Sequence, residues 1–189
     1  MKISVIIPSW NRADRLAAAL DSVYAQSLTP HEIILVDDGS TDDTRELLAR
    51  HYPNVRYIFQ QNGGVSQARN TGITAASGDW IALLDSDDRW EPRKLEQQQA
   101  AIRATPDCKL CHSDEIWIRN GKRVNPMKKH AKHGGWIFRH CLPLCVISPS
   151  AVMIHRDIFT EIGLFDESLP ACEDYDLWLR ICAVYPVLY

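Results

Sequence analysis

The sequence predicts an α/β fold: a mostly parallel sheet with helices on both faces, followed by a smaller mixed α+β region. Three observations carry this prediction. Short, continuous apolar runs rich in β-branched residues recur as far as Leu84, as expected of strands buried on both faces. Segments with helical spacing separate them, so β and α alternate four times before Pro106. Beyond Pro106 the style changes to alternating strands and a hairpin signal.

Ile3–Ile7 is the first such run, closed by Pro8. Asn11 is placed to cap the next segment, in which Leu16, Leu20 and Val23 recur at helical spacing. Ile33–Val36 forms a second buried strand and ends in Asp37-Asp38-Gly39-Ser40. Ser40 followed by Asp43 has the spacing of a capping box for a helix carrying Leu47 and Leu48. Val55–Phe59 reads as a third strand, and Gly63-Gly64 as a turn into a helix over Ser66–Ala76. Trp80–Leu84 is the fourth strand, and Pro92 suits the first turn of a helix that runs to Ala104. In the second part, Lys109–Arg119 alternates like a strand and Asn120-Gly121 signals a hairpin. Ser150–His155 reads as a strand. Asp174–Tyr185 reads as a helix with Leu177, Ile181 and Val184 on one face. No linker or repeat divides the 189 residues, so a single domain with two sub-regions is expected.

Composition narrows the function classes. A net charge of −3 gives no general attraction to nucleic acid; Lys128–His133 is a local basic exception. No apolar run is long enough to span a bilayer, and Met1–Pro8 reads as a strand rather than a signal peptide, which points to the cytosol. Cys108-x2-Cys111 and Cys141-x3-Cys145 have zinc-like spacing. Strand residues three apart face opposite sides, however, so buried free thiols are expected instead. Nothing in the sequence indicates an oligomeric state.

The acidic strand ends carry the chemistry. Asp85, Asp87 and Asp88 crowd the end of a buried strand, where like charges raise one another's pKa unless a cation neutralises them. Ligands of open α/β sheets bind at that edge, which suggests a divalent metal holding phosphate; a solvated acidic turn is the alternative. Asp38 ends a neighbouring strand and could take a base N–H or ribose hydroxyls, or could serve only as a turn residue. Gly63–Asn70 offers backbone N–H groups and the Arg69 guanidinium to a diphosphate, although Arg69 could equally pair with a surface acid. Asp174, at the start of the last helix, could offset the helix dipole or act as a general base.

Six segments in order resemble family 2 glycosyltransferases, the large inverting family with the GT-A fold. They are Val5–Arg12, Ser22–Gln26, Val36–Asp42, Asn62–Gly72, Gly78–Asp88 and Glu173–Arg180. The resemblance implies transfer of a sugar from a nucleotide diphosphate sugar, usually a UDP-sugar, to an acceptor hydroxyl. Residues 1–105 would form the nucleotide-sugar-binding half and 106–189 the acceptor-side half. Pro8, Ser9 and Asp38 would border the nucleoside pocket, and Arg69 would lie near the donor. Asp85-Ser86-Asp87 matches the family's DXD motif. Asp87 or Asp88 would hold Mn²⁺ or Mg²⁺, with Asp85 as the neighbouring carboxylate toward the ribose. Asp174 matches the proposed catalytic base. The resemblance also implies a sugar or lipid-linked saccharide acceptor, with peripheral association at the inner membrane face open to it. The Gln-x-x-Arg-Trp motif of membrane-embedded synthases is absent. The chain stops at Tyr189, where the family usually continues, so a further C-terminal segment is expected. A sugar nucleotidyltransferase and a non-catalytic nucleotide-sugar-binding fragment are the rival readings. The former lacks its Gly-rich loop after Ile7.

Overall fold

A computed structural model describes all residues, Met1–Tyr189. Its centre is a six-stranded sheet in the order β3-β2-β1-β4-β8-β5. The strands β1 (Ile3–Ser9), β2 (Glu32–Asp37), β3 (Arg56–Phe59) and β4 (Trp80–Leu83) run parallel. β8 (Val152–His155) is antiparallel to both β4 and β5 (Leu110–His112), so strands from both parts of the chain share one sheet. β6 (Trp117–Arg119) and β7 (Lys122–Val124) form a separate hairpin around Asn120-Gly121.

Alternate residues of the central strands feed two cores. Ile6, Ile34, Val36, Ile81 and Leu83 face one side. There they meet α3 (Val65–Ala75), α6 (Asp157–Glu161) and α7 (Glu173–Cys182) through Ala68, Ile158, Leu177 and Trp178. Val5, Ile7, Leu35, Ala82 and Leu84 face the other. They pack on α1 (Ala13–Tyr24), α2 (Thr44–His51) and α4 (Lys94–Ala104) through Leu16, Leu20, Leu48 and Leu95. Each fully buried Leu or Ile contributes about 1.5–3 kcal/mol, so these two layers hold the sheet edge in place. Gly72 lets α3 lie close on β1, because a Cβ there would collide with Ile6 Cγ2. That close approach fixes Arg69, one turn earlier on the same helix.

Several local expectations change. Asn11 does not cap α1; it sits at φ +50° and links two loops, its N–H donating to Ser40 Oγ (2.8 Å) and its Oδ1 accepting from Thr41 N–H (2.8 Å). The Ser40–Asp43 capping box does not form. Asp42 takes that place, accepting from Thr44 N–H, Thr44 Oγ1 and Ala13 N–H. The strand expected over Lys109–Arg119 breaks after His112, where the chain leaves the sheet for the hairpin. Val184 is exposed rather than on the core face of α7, since that helix ends at Cys182. α5 (Phe138–Cys141) is a single turn against α7. No helix is long and apolar enough to cross a membrane.

Candidate active site

The C-terminal edge of β1, β2 and β4 gathers the acidic strand ends. β1 ends at Ser9, whose buried hydroxyl has no protein partner, and the next residue, Trp10, is 56% exposed. Ser9 O accepts from Asp38 N–H at 2.8 Å, and Pro8 pairs in register with Val36. Pro8, Ser9 and Asp38 therefore form one contiguous wall.

The carboxylate of Asp38 is buried and fully engaged. Its Oδ1 accepts from Gln60 Nε2 (2.7 Å) and Gly63 N–H (3.0 Å), and its Oδ2 from Gly64 N–H (2.8 Å). It latches the 60–64 loop to the end of β2. Gly39 and Gly64 adopt φ of +81° and +92°, and a Cβ at Gly39 would lie 2.9 Å from Asn62 N, so the latch needs glycine at these positions. Asp37 is likewise tied, accepting from Ser40 N–H (2.8 Å) and Tyr57 Oη (2.7 Å).

Arg69 joins the two halves of the chain. Its guanidinium is buried, donating to Asp85 Oδ1 at 2.8 Å and to Glu173 Oε1 at 2.7 Å, and it lies 5.2 Å from the Phe165 ring centroid. Burial works against its charge, and the two carboxylates outweigh burial, so Arg69 is held even more firmly protonated than usual. Its Nε is buried without a partner. Next to it, Asn70 exchanges hydrogen bonds with the Phe165 backbone and donates to Glu167, which fixes α3 against the loop before α7.

The acidic turn is organised by Ser150. Its hydroxyl donates to Asp88 Oδ2 at 2.6 Å and accepts from Asp85 N–H at 3.1 Å. Asp88 also closes the turn on itself, N–H to Asp85 O at 3.0 Å. Loss of hydration is the main push raising the Asp88 carboxyl above its ordinary value. The Ser150 hydrogen bond opposes it, and the charges of Asp85, Asp87 and Glu115 add to it. Asp87 is more open, with Arg15 Nη1 3.7 Å away.

Asp174 stands in the first turn of α7, after Cys172 in the left-handed region at φ +63°. One carboxylate oxygen accepts from Tyr175 N–H (2.8 Å) and the other faces the Cys145 thiol (3.8 Å). Burial pushes its carboxyl above the ordinary value, helped by the Glu173 charge. Burial and Asp174 together push the Cys145 thiol up to about 12, so it stays a neutral donor. A cavity of about 640 Å³ opens beside Asp88, between α4 and the β5 edge, lined in part by Trp90, Trp117, Ser148 and Ser150. Lys94 lies buried at its side, donating to Val152 O at 3.2 Å over the Trp90 ring.

Pro8, Ser9, Asp38, Asp85, Asp87 and Asp88 lie along one edge of the sheet, Arg69 on α3 and Asp174 in the first turn of α7. Glu173, Ser150, Gln60 and Cys145 had no role assigned from sequence. Only Glu173, adjacent to Asp174, gave a local signal. No group of three or more His, Cys, Asp or Glu side chains converges as a metal set, and the six cysteines are free thiols.

Known proteins resemble this chain in sequence and in fold. The chain is 33% identical over 191 residues to an uncharacterised glycosyltransferase of Rickettsia typhi, covering 97% of this chain and 60% of that protein. It is 30% identical over 187 residues to the chondroitin synthase of Escherichia coli, covering 97% of this chain and 27% of the synthase. It therefore spans three fifths or less of these relatives' lengths. Among solved structures, Staphylococcus aureus TarS 1–349 in complex with UDP-GlcNAc superposes with a TM-score of 0.78 at 23% identity, covering 100% of this chain and 56% of that one. The mannosyltransferase PcManGT of Pyrobaculum calidifontis, in complex with GDP-Man and Mn²⁺, gives 0.71 at 19% identity, covering 99% and 54%. These likenesses establish a GT-A type fold. The family model described as glycosyl transferase family 2 matches residues 4–163, and the chain belongs to that family.

Proposed function

We propose that this chain is the transferase domain of a metal-dependent, inverting enzyme that moves a sugar from a nucleotide diphosphate sugar, a UDP-sugar first of all, to an acceptor hydroxyl. The observation that carries this is Arg69. One buried guanidinium touches both Asp85 at the strand end and Glu173 beside Asp174, so the acidic strand end and the start of α7 are held side by side. Family membership and a fold shared with structures in complex with UDP-GlcNAc and with GDP-Man support the same reading.

In this reading the nucleoside rests against Pro8, Ser9 and Asp38. The Ser9 hydroxyl has no partner within the protein, and a base or ribose donor would share Asp38 with Gln60. Asp85 lies toward the ribose, and Arg69 holds Asp85 in place.

The donor set of the acidic turn fits a hard divalent cation. Its atoms are carboxylate oxygens, and Asp88 is crowded by the charges of Asp85 and Asp87, which a cation would relieve. Because no three-carboxylate set converges, the protein would supply Asp87 or Asp88 and the diphosphate the remaining oxygens, as suits Mg²⁺ or Mn²⁺. Such an ion, when bound, stabilises the charge on the departing diphosphate. Asp174 takes the proton of the acceptor hydroxyl as that oxygen attacks the anomeric carbon. A single displacement with one base on the far side from the leaving group inverts the configuration. The likeness to chondroitin synthase favours an acceptor that is a growing saccharide, and so a place in cell-surface polysaccharide or glycolipid assembly.

The test is product analysis with UDP-sugars and Mn²⁺ against a panel of saccharide acceptors. Released UDP with an inverted product, lost in Asp174→Asn while nucleotide binding persists, supports the proposal. Released pyrophosphate would make the chain a nucleotidyltransferase. Donor binding with no turnover would make it a binding fragment.

A further inference from the structure

From Ile116 to Arg156 the chain has no aspartate or glutamate but eight lysines and arginines, although its net charge is −3. In the part from Ile116 to Leu142, Arg119, Lys122, Arg123, Lys128, Lys129 and Arg139 are exposed. The one ion pair made from this part is Lys132 to Glu115 at 2.8 Å, so those six cations face solvent without an acidic partner. The same part holds five exposed large apolar side chains: Ile116, Ile118, Met127, Trp136 and Leu142. In the β6–β7 hairpin, Ile118 lies directly opposite Arg123, so an apolar and a cationic side chain share one face. Trp117 points to the other face and packs on the His130 ring, 4.8 Å between centroids.

We propose that residues 116–142 form a docking face for an anionic lipid bilayer. Unpaired cations beside exposed Ile, Met, Leu and Trp are what an interfacial surface requires: charge attraction to acidic headgroups, and apolar groups to enter the headgroup boundary. An acidic polysaccharide would match the cations but leave Ile118, Met127 and Leu142 in water. The face is tied to the cleft. The Tyr175 hydroxyl, one residue from Asp174, donates to Cys141 O at 2.7 Å and Leu142 O at 2.9 Å, and Gly135 bridges Val187. Docking would therefore set the Asp174 helix at the membrane surface. Resting on the transferase reading, this names the acceptor class: a saccharide carried on a lipid.

Vesicle sedimentation tests the face without needing turnover. The chain is mixed with phosphatidylcholine vesicles, with and without phosphatidylglycerol. We expect binding only to the anionic vesicles, lost in high salt. It should fall by at least about tenfold both in K122E/R123E/K128E/K129E and in I118S/W136S, with circular dichroism and UDP affinity unchanged. All of these positions are exposed, so the variants keep the core. No binding to anionic vesicles, equal binding to neutral ones, or binding that survives either variant overturns the proposal. So does displacement by soluble dextran sulfate with I118S/W136S unaffected, which would identify an acidic glycan partner. Calorimetry with UDP reports separately on the donor site, so failure of one reading is distinguishable from failure of the other.

Discussion

The donor edge and the 116–142 segment solve opposite problems. At the donor edge, charged side chains are buried and already paired. Asp37, Asp38 and Arg69 are each less than 5% exposed, and each is held by hydrogen bonds with two or more neighbours. In the segment, charges stand unpaired in solvent beside exposed apolar side chains, anchored at few points such as Lys132 and Gly135. The first arrangement is rigid before any ligand arrives, which suits recognition of one small molecule in one pose. The second has unmet interactions, which suits a partner that covers it. On the proposed reading, donor recognition and membrane docking would reside in separable parts of one chain.

Substitutions can break this contrast. The largest effect is expected at Asp174, where Asn should lower kcat by about 10²–10⁴ while UDP affinity holds; steady-state kinetics on the identified donor and acceptor would check it. Next comes Arg69→Met, which strands Asp85 and Glu173 and should destabilise the fold by about 3–5 kcal/mol in urea melts. Arg123→Met, the matching change in the exposed segment, should stay within about 0.5 kcal/mol. Similar losses for the two would erase the distinction between the regions. Asp38→Ala frees two glycine N–H groups and should cost about 1–3 kcal/mol, with weaker UDP binding because the 60–64 loop loses its latch.

A smaller effect concerns pH. The Asp174 carboxyl is raised in the folded chain, so its charged form is less favourable there than in the unfolded chain. Its ionisation therefore lowers stability as pH rises through the ordinary carboxylate value and on through the raised one, and the whole cost is present above the raised value. Asp174→Asn should melt no lower than the parent above the raised value, and the parent's relative disadvantage should fade in acid. The acid limb of the kcat profile should lie above the ordinary carboxylate range, because the base is lost as pH falls through the raised value. Thermal melts and kinetics across the acid range would check both signs.

The parallel half was legible because a strand buried on both faces reads as a continuous apolar run, and Ile3–Ile7, Ile33–Val36 and Trp80–Leu84 are such runs. Asp85 through Asp88 stood out because charge at the end of such a run is costly. What escaped depends on contacts between distant residues. Ser150 meets Asp85 across 65 positions, and Asp38 meets Gly63 across 25, with nothing local to mark either pairing. Asn11 and Ser40 had the composition of helix caps, yet the loop between β1 and α1 packs on the loop before α2, and each met the other instead. The break after His112 was hidden because Lys109–Arg119 keeps its alternation across the point where the chain leaves the sheet.

The most direct test of the central claim is calorimetric titration of UDP with and without Mn²⁺, on the parent chain and on Asp87→Asn and Asp88→Asn. A nucleotide diphosphate site at this edge predicts micromolar binding that needs Mn²⁺ and weakens in at least one of the two variants. A folded chain that binds neither UDP, GDP nor dTDP, or binds them indifferently to Mn²⁺ and to both substitutions, would contradict it.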